Sequence, residues 1–383
     1  MRFIAFPRDA SERGGAAVCV TAIVMLWVLS CAGSRVGEPG SGVQIHVAEG
    51  ASDRPCAWFA DARDGVLYFG QASFWQNFRR SGGNPRADLE TAGALRVGRF
   101  DLIREQFLEP LEAGAGTASG TWDVYAHPNG RVYFSTFFDA AGFVEPASGR
   151  AVRFDALGTG LNELAAGPDD DLMATRYASE DGGSGSVVRF GPDGLIRAEF
   201  PLTAAAGERV LAKSLSFDPV RRTIWVNTDR IDSDGETIGH DARILDAEGG
   251  EERLRIEQPE LHFVHFDARG RGVLAWGDGK RLTLRLVEPG GATGPDSGRE
   301  IVLDRNFDAM HDFVQEARTT ADGGALVTRW SGVIQRVDAR GEVRLLRLPR
   351  NGDGGLYYSA FESDGRVCTT YCAGVRIVCA PSP

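Results

Sequence analysis

Trp122-Asp-Val-Tyr-Ala-His-Pro-Asn-Gly-Arg-Val-Tyr-Phe-Ser-Thr-Phe-Phe138 reads as two β-strands joined by a tight turn. The left arm is apolar with small residues. In the right arm Val132, Phe134 and Thr136 alternate with Tyr133 and Ser135. Asn129-Gly130 stands where a two-residue hairpin needs positive φ, which Gly and Asn adopt at least cost.

Working outward, the same signature recurs at Asp64-Gly65, Asp169-Asp170, Arg221-Arg222, Arg269-Gly270, Asp322-Gly323 and Asp364-Gly365. Spacings of roughly 40 to 65 residues match the period of a propeller blade. A second series interleaves with the first, at Ser148-Gly149, Asp193-Gly194, Glu248-Gly249, Gly290-Gly291 and Arg340-Gly341. Each follows an apolar strand such as Ser186-Val-Val-Arg-Phe190. Two hairpins per unit predict four strands per unit, and the whole an all-β, seven-bladed β-propeller. Two stacked sandwiches would not produce one uniform period. A 3.6-residue apolar spacing shows only as a short hint at Phe100 to Leu111. The last unit, Gly355 to Ala380, supplies three strands and stops. The alternating segment Val43, Ile45, Val47 is therefore expected as its fourth strand, since an open sheet edge invites aggregation.

With 383 residues, 43% hydrophobic and 25% charged, the chain can bury a large core. Its 49 glycines suit many turns, and a net charge of −11 without a Lys/Arg cluster argues against nucleic acid. Residues 1–30 have the order of an export signal. Arg2, Arg8 and Arg13 precede the uncharged run Ala16 to Leu29, and Ser30-Cys31 follows. That order resembles a bacterial lipoprotein signal, which implies lipidation of Cys31. Asp9 and Glu12 in the n-region depart from it, and an ordinary secretory signal or an uncleaved anchor are the alternatives. A fourteen-residue helix reaches ~21 Å against a ~30 Å hydrocarbon core, which disfavours a span. The expected organisation is a signal at 1–30, a tether at 31–42 and a propeller at 43–383. The mature chain would be held in the cell envelope, periplasmic or surface-exposed, through its lipid alone.

An exported chain keeps disulfides. Cys56, Cys368, Cys372 and Cys379 all belong to the first or last unit. If Ala373-Gly374 is a two-residue turn, Cys368 lies across from Cys379, and Cys372 falls on the face where Cys56 begins its strand. Cys368–Cys379 with Cys56–Cys372 is favoured, with the two other connectivities open. A metal reading of Cys-x3-Cys lacks accompanying ligands.

Propellers bind ligands where the innermost strands begin. The residue seven before each first-turn Gly is Trp58, Asp123, Glu163, Ser214, Phe263, Glu316 or Tyr358. The preceding position gives Ala57, Trp122, Asn162, Lys213, His262, Gln315 and Tyr357, with His311 and Asp312 competing for the sixth unit. Asp123, Asn162, Glu163 and Glu316 are thus candidate ligands for a divalent cation such as Ca²⁺, and Asp123, Glu163, Glu316 and His262 candidate acid–base groups. Hydrogen bonding of these side chains to neighbouring backbone is the plainer alternative. His262 and His265 alternate on one strand, so at most one faces the ligand side. Trp58, Trp122, Asn162, Lys213 and Tyr358 at the mouth, with Phe74, Trp75, Arg79 and Arg80 in a long insertion, are candidate binding residues. The acidic tract from Asp229 to Glu236 reads as a solvated loop.

The repeated Asp/Asn-Gly turn with its following strand resembles the NHL, SMP-30/gluconolactonase and virginiamycin B lyase-like propellers over roughly residues 43–380. In the lactonase branch a Glu, an Asn in an Asn-Asp motif and a later Asp hold a metal. Asn162-Glu163 imitates the pair, whereas the first unit reads Cys56-Ala57-Trp58-Phe59, with no Glu. Two functions are expected. One is a lipid-anchored binding module for an envelope protein, a peptide, a glycan or a small molecule. The other is a divalent-metal-dependent hydrolase or lyase using the axial carboxylates.

Overall fold

The computed structural model describes residues 42–48, 56–72, 92–117, 120–136, 139–179, 182–258, 261–277, 280–290, 298–308, 312–349, 356–372 and 374–383. The signal, Cys31, nearly all of the tether, His311, and the insertion carrying Phe74, Trp75, Arg79 and Arg80 lie outside them. No helix among the described residues is long and apolar enough to cross a membrane.

These residues form seven four-stranded antiparallel sheets, the blades of a β-propeller. The inner strands, in blade order, are Cys56–Arg63, Asp123–Ala126, Leu161–Ala166, Arg209–Asp218, Leu261–Phe266, Val314–Thr319 and Leu356–Ser363. Blade 7 is completed from the other end of the chain. Gln44–Val47 pairs antiparallel with Val375–Pro381, from Gln44↔Cys379 to Val47↔Arg376. The expected closure is observed.

All seven first-series turns join an inner strand to the second strand of its blade. Asp64 and Gly65, Asp169 and Asp170, and Asp364 and Gly365 take positive φ as pairs, the backbone that continues the twist of a hairpin. The turn at Asn129-Gly130 differs from expectation. Only Gly130 is left-handed, at φ +87°, and the loop runs from His127 to Arg131, closed by His127 N–H→Arg131 O at 3.0 Å and Gly130 N–H→His127 O at 3.1 Å. Pro128 pre-sets a right-handed first corner, so the left-handed residue moves one place on. The helical hint at Phe100 to Leu111 is also a hairpin, between Ala92–Asp101 and Gln106–Thr117. Its turn contains no Gly; Asp101 Oδ1 instead accepts the Ile103 and Arg104 amides at 3.0 and 2.8 Å, and apolar residues run across the corner.

Strands in mid-blade, such as Val132–Ser135 and Ala325–Arg329, are buried throughout, because both faces of a blade meet neighbours. Tyr133, Phe143 and Phe154 of blade 2 pack on Leu161, Leu172 and Phe190 of blade 3. In blade 1 a Cβ added at Gly98 would stand 2.0 Å from the Phe69 ring, so only glycine lets that ring fill its place. Outer strands such as Val343–Arg347 face water.

Both favoured disulfides are present. Cys368 and Cys379 face each other on neighbouring strands of blade 7, Cα atoms 4.1 Å apart. Cys56 of blade 1 joins Cys372 of blade 7, Cα atoms 4.4 Å apart, across 316 residues of sequence. Cys56–Cys372 ties blade 1 to blade 7, where the ring closes, and Cys368–Cys379 braces blade 7 alone; both are consistent with an oxidising compartment.

Candidate functional site

Six inner strands slip register toward their start. The slips fall between Ala57 and Ala60, Leu161 and Leu164, Ala212 and Ser214, Leu261 and Phe263, Val314 and Glu316, and Tyr357 and Ala360. A bulge inserts an unpaired residue and re-aims its side chain. Between the slipped positions stand Trp58 and Phe59, Asn162 and Glu163, Lys213, His262, Gln315, and Tyr358 and Ser359; the sequence alignment singles out all of these except Phe59 and Ser359. Thr175 Oγ1 and Thr370 Oγ1 accept the displaced amides of Glu163 and Ser359, at 3.2 and 3.1 Å.

Around the channel, inner-strand side chains tie each blade to the next. Asp61 Oδ2 accepts the Ala126 amide (3.0 Å), Asp123 Oδ2 the Leu164 amide (2.7 Å), and Glu163 Oε2 the Leu215 amide (3.3 Å). Ser216 Oγ accepts from Phe266 (2.7 Å), His265 Nδ1 from Thr319 (3.4 Å), and Ser359 Oγ from Ala60 (3.0 Å). Blades 6 and 7 meet through Glu316 beside the Ser359 hydroxyl. Asp123 Oδ1 also takes the Val124 amide at 2.8 Å.

Asp123, Glu163 and Glu316 come near enough to repel one another. Burial, with the Glu316 charge adding to it, pushes Asp123 up to about 7, against the two amides it accepts. Burial and then the charges of Asp123 and Glu316 raise Glu163 well above its ordinary value, although part of its surface is open. Burial also raises Glu316, opposed by Arg318. Arg318 Nε donates to Glu316 Oε1 at 2.6 Å, Nη1 to Asp61 Oδ1 at 3.2 Å, and Nη2 to the Ala60 carbonyl. Its guanidinium lies 4.2 Å from the Phe361 ring centre. Burial, then the Arg318 charge, lowers His265 to about 3, so its imidazole is neutral.

The mouth residues take different roles. Trp58, Trp122 and Tyr358 stack in one buried cluster at the seam, Trp58 4.5 Å from Trp122 and 4.8 Å from Tyr358; Phe59 packs on it and is partly exposed. Trp122 Nε1 donates to Asn162 Oδ1 at 3.1 Å, and Asn162 Nδ2 donates to the Lys213 carbonyl. Lys213 Nζ reaches Asp229 Oδ1 at 3.2 Å, and His240 Nδ1 meets the same oxygen at 2.6 Å. Burial opposes ionisation of Asp229, yet Lys213 and His240 hold it well below the usual carboxylate range. The tract read as a solvated loop therefore divides: Asp229 is buried on a strand, and Asp232–Glu236 form the exposed turn. Glu316, not Asp312, occupies the blade 6 position; Asp312 pairs with Arg329 and accepts the Ser331 amide. The His262 side chain lies outside the described ones.

Asp61, Ser216, His265, Arg318 and Ser359 were not singled out as channel residues from sequence. Most stand two or three positions beyond an aligned residue on the same strand, which is where alternation returns a side chain to the axis.

The oxygens of Asp123, Glu163 and Glu316 do not all lie within 4.8 Å of one another. Among the described residues, the group of His, Cys, Asp and Glu ligand atoms within 4.8 Å of one another is His46, Glu105 and Cys379. Cys379 is in a disulfide. The axial carboxylates are not such a group, and each oxygen of Asp123 accepts one amide.

No protein-family model matches the chain, and no curated protein matches it in sequence. Among solved structures it is similar to a catalytically inactive variant of virginiamycin B lyase from Staphylococcus aureus with Quinupristin. That likeness covers 88% of this chain and 98% of the lyase, at 11% identity and a TM-score of 0.56. At that identity the likeness is one of fold, a β-propeller of that kind.

Proposed function

We propose that this chain is an exported propeller, held in the cell envelope by a lipid on Cys31, that binds a ligand at the end of its channel where the inner strands begin. One observation supports the reading: register slips toward the start of six inner strands interrupt the regular pairing at that end, at positions that include Asn162, Glu163, Lys213 and Gln315. Meanwhile the groups that would do chemistry are engaged in joining blades. The partner is a protein, peptide, glycan or small molecule of the envelope. Photo-crosslinking tests it, with benzoylphenylalanine at Phe59 near the mouth and at Leu345 on an outer strand. Adducts at position 59 in envelope preparations, absent at 345, support the reading; equal labelling overturns it.

The hydrolase or lyase alternative has its own support. A buried carboxyl at about 7, such as Asp123, is matched to general acid–base work at neutral pH. A stoichiometric divalent ion in the purified protein, lost in Asp123→Ala or Glu163→Ala, would favour it.

A further inference from the structure

At the seam where the ring closes, three elements meet. His46 stands on the closing strand Gln44–Val47, and Cys379 on the strand it pairs with. Glu105 stands in the turn between the third and fourth strands of blade 1. His46 Nε2 lies 3.2 Å from Glu105 Oε2, and ligand atoms of His46, Glu105 and Cys379 all fall within 4.8 Å of one another. Cys368 faces Cys379 on the neighbouring strand, which brings a second sulfur to the same place.

Tetrahedral zinc, with bonds of ~2.0 Å to N and O and ~2.3 Å to S, sets its ligand atoms about 3.3 to 3.8 Å apart. The separation of His46 from Glu105 already has that size, and the rest of the group need close by no more than ~1.5 Å. One imidazole, one carboxylate and two thiolates are donors that suit this ion. Their surroundings hold them in place. Arg366 pairs with the other oxygen of Glu105, and the His46 ring packs 5.1 Å from that of Phe100. Cys368 and Cys379 are buried among Leu67, Phe69 and Phe100, while the partly exposed His46 and Glu105 leave a way in.

In the structure the two sulfurs are joined, and it is the thiolate that ligates metals. The four side chains thus have two mutually exclusive states. We propose that, before this disulfide forms, His46, Glu105, Cys368 and Cys379 hold one zinc ion that ties the closing strand to blade 1. On binding, the two thiols give up their protons to solvent and two S–Zn bonds form; no electron moves. Later exchange with a protein or small-molecule disulfide forms the Cys368–Cys379 bond. That oxidant takes the two electrons and two protons from solvent to become two thiols, and the ion leaves.

Cobalt(II), whose spectrum reports thiolate ligation, tests this. The full chain with Cys19→Ser, Cys31→Ser, Cys56→Ser and Cys372→Ser keeps only the two thiols of the site. Reduced with a phosphine in urea, refolded and titrated with cobalt chloride, it should bind one ion per chain with a thiolate charge-transfer band, and zinc chloride should displace that ion. His46→Ala and Glu105→Gln should each weaken binding at least tenfold, and glutathione disulfide should abolish it. No band in the reduced chain, or unchanged affinity in both variants, overturns the proposal. The reduced chain with all its cysteines guards against misfolding of the substituted one. There zinc should slow iodoacetamide labelling of Cys368 and Cys379 at least tenfold, read by mass spectrometry, and leave Cys56 and Cys372 unchanged. Labelling that does not respond to zinc, or slows equally at all four, overturns it as well.

Discussion

Asp123 accepts the Leu164 amide of the next blade at 2.7 Å with one carboxylate oxygen, while its other oxygen accepts its neighbour Val124 at 2.8 Å. The side chain that most invites a catalytic reading is thereby also a joint between blades 2 and 3.

The pH dependence of stability follows. An unfolded Asp titrates near 4, and in the fold Asp123 is pushed up to about 7. Between those values the unfolded chain has released a proton that the folded chain retains, so this group's contribution is lost as pH rises through the window. The slope is at most about 1.4 kcal/mol per pH unit. His265, lowered to about 3, works in the opposite sense below about 6.5, so the comparison is with Asp123→Asn. Urea denaturation from pH 5 to 8 should show wild-type stability falling relative to the variant as pH rises. Parallel curves would refute it.

Arg318→Met should cost about 3–5 kcal/mol at pH 7.5, since it strips the cation from Glu316 and Asp61 in a walled channel. The deficit should shrink at pH 5, because burial already favours the neutral form of the stranded Glu316 carboxyl. A deficit that is the same at both pH values would place the loss in packing against Phe361 instead.

The two disulfides should differ in worth. Cys56–Cys372 closes 316 residues and Cys368–Cys379 closes 11. Chain-entropy scaling gives about 6 and about 3 kcal/mol. Paired Cys→Ala variants compared by denaturant midpoint should rank in that order.

Deleting residues 42–48 should open the ring. Val375–Pro381 would then become an unpaired edge, and the shortened chain should form higher oligomers on gel filtration and melt earlier. A monomer of unchanged melting temperature would show that the disulfides alone suffice.

Much of this was readable in the chain. Asp64-Gly65, Asp364-Gly365 and their counterparts mark turns because positive φ is a property of one or two residues. Alternation of period two marks strands for the same local reason, and the recurrence of both predicted seven blades. Cysteines confined to the first and last units then indicated where the ring is fastened. At Asn129-Gly130 the local rule placed the turn and mistook its shape, since Pro128 changed the corner.

The channel was legible only as a list of positions. Trp58, Trp122 and Tyr358 were expected at the mouth and are packed into the seam, because three rings from three blades find each other before they find water. Asp61, His265 and Arg318 gain their roles from amides and carboxylates on other blades, and Lys213 meets Asp229 and His240 from three different strands of blade 4. Residue type and spacing alone determined the strands, the turns and the count of blades. The side chains that meet at the axis, and their protonation, were decided by bulges and blade-to-blade register. Those depend on segments hundreds of residues apart being brought within hydrogen-bond reach, which no local pattern encodes.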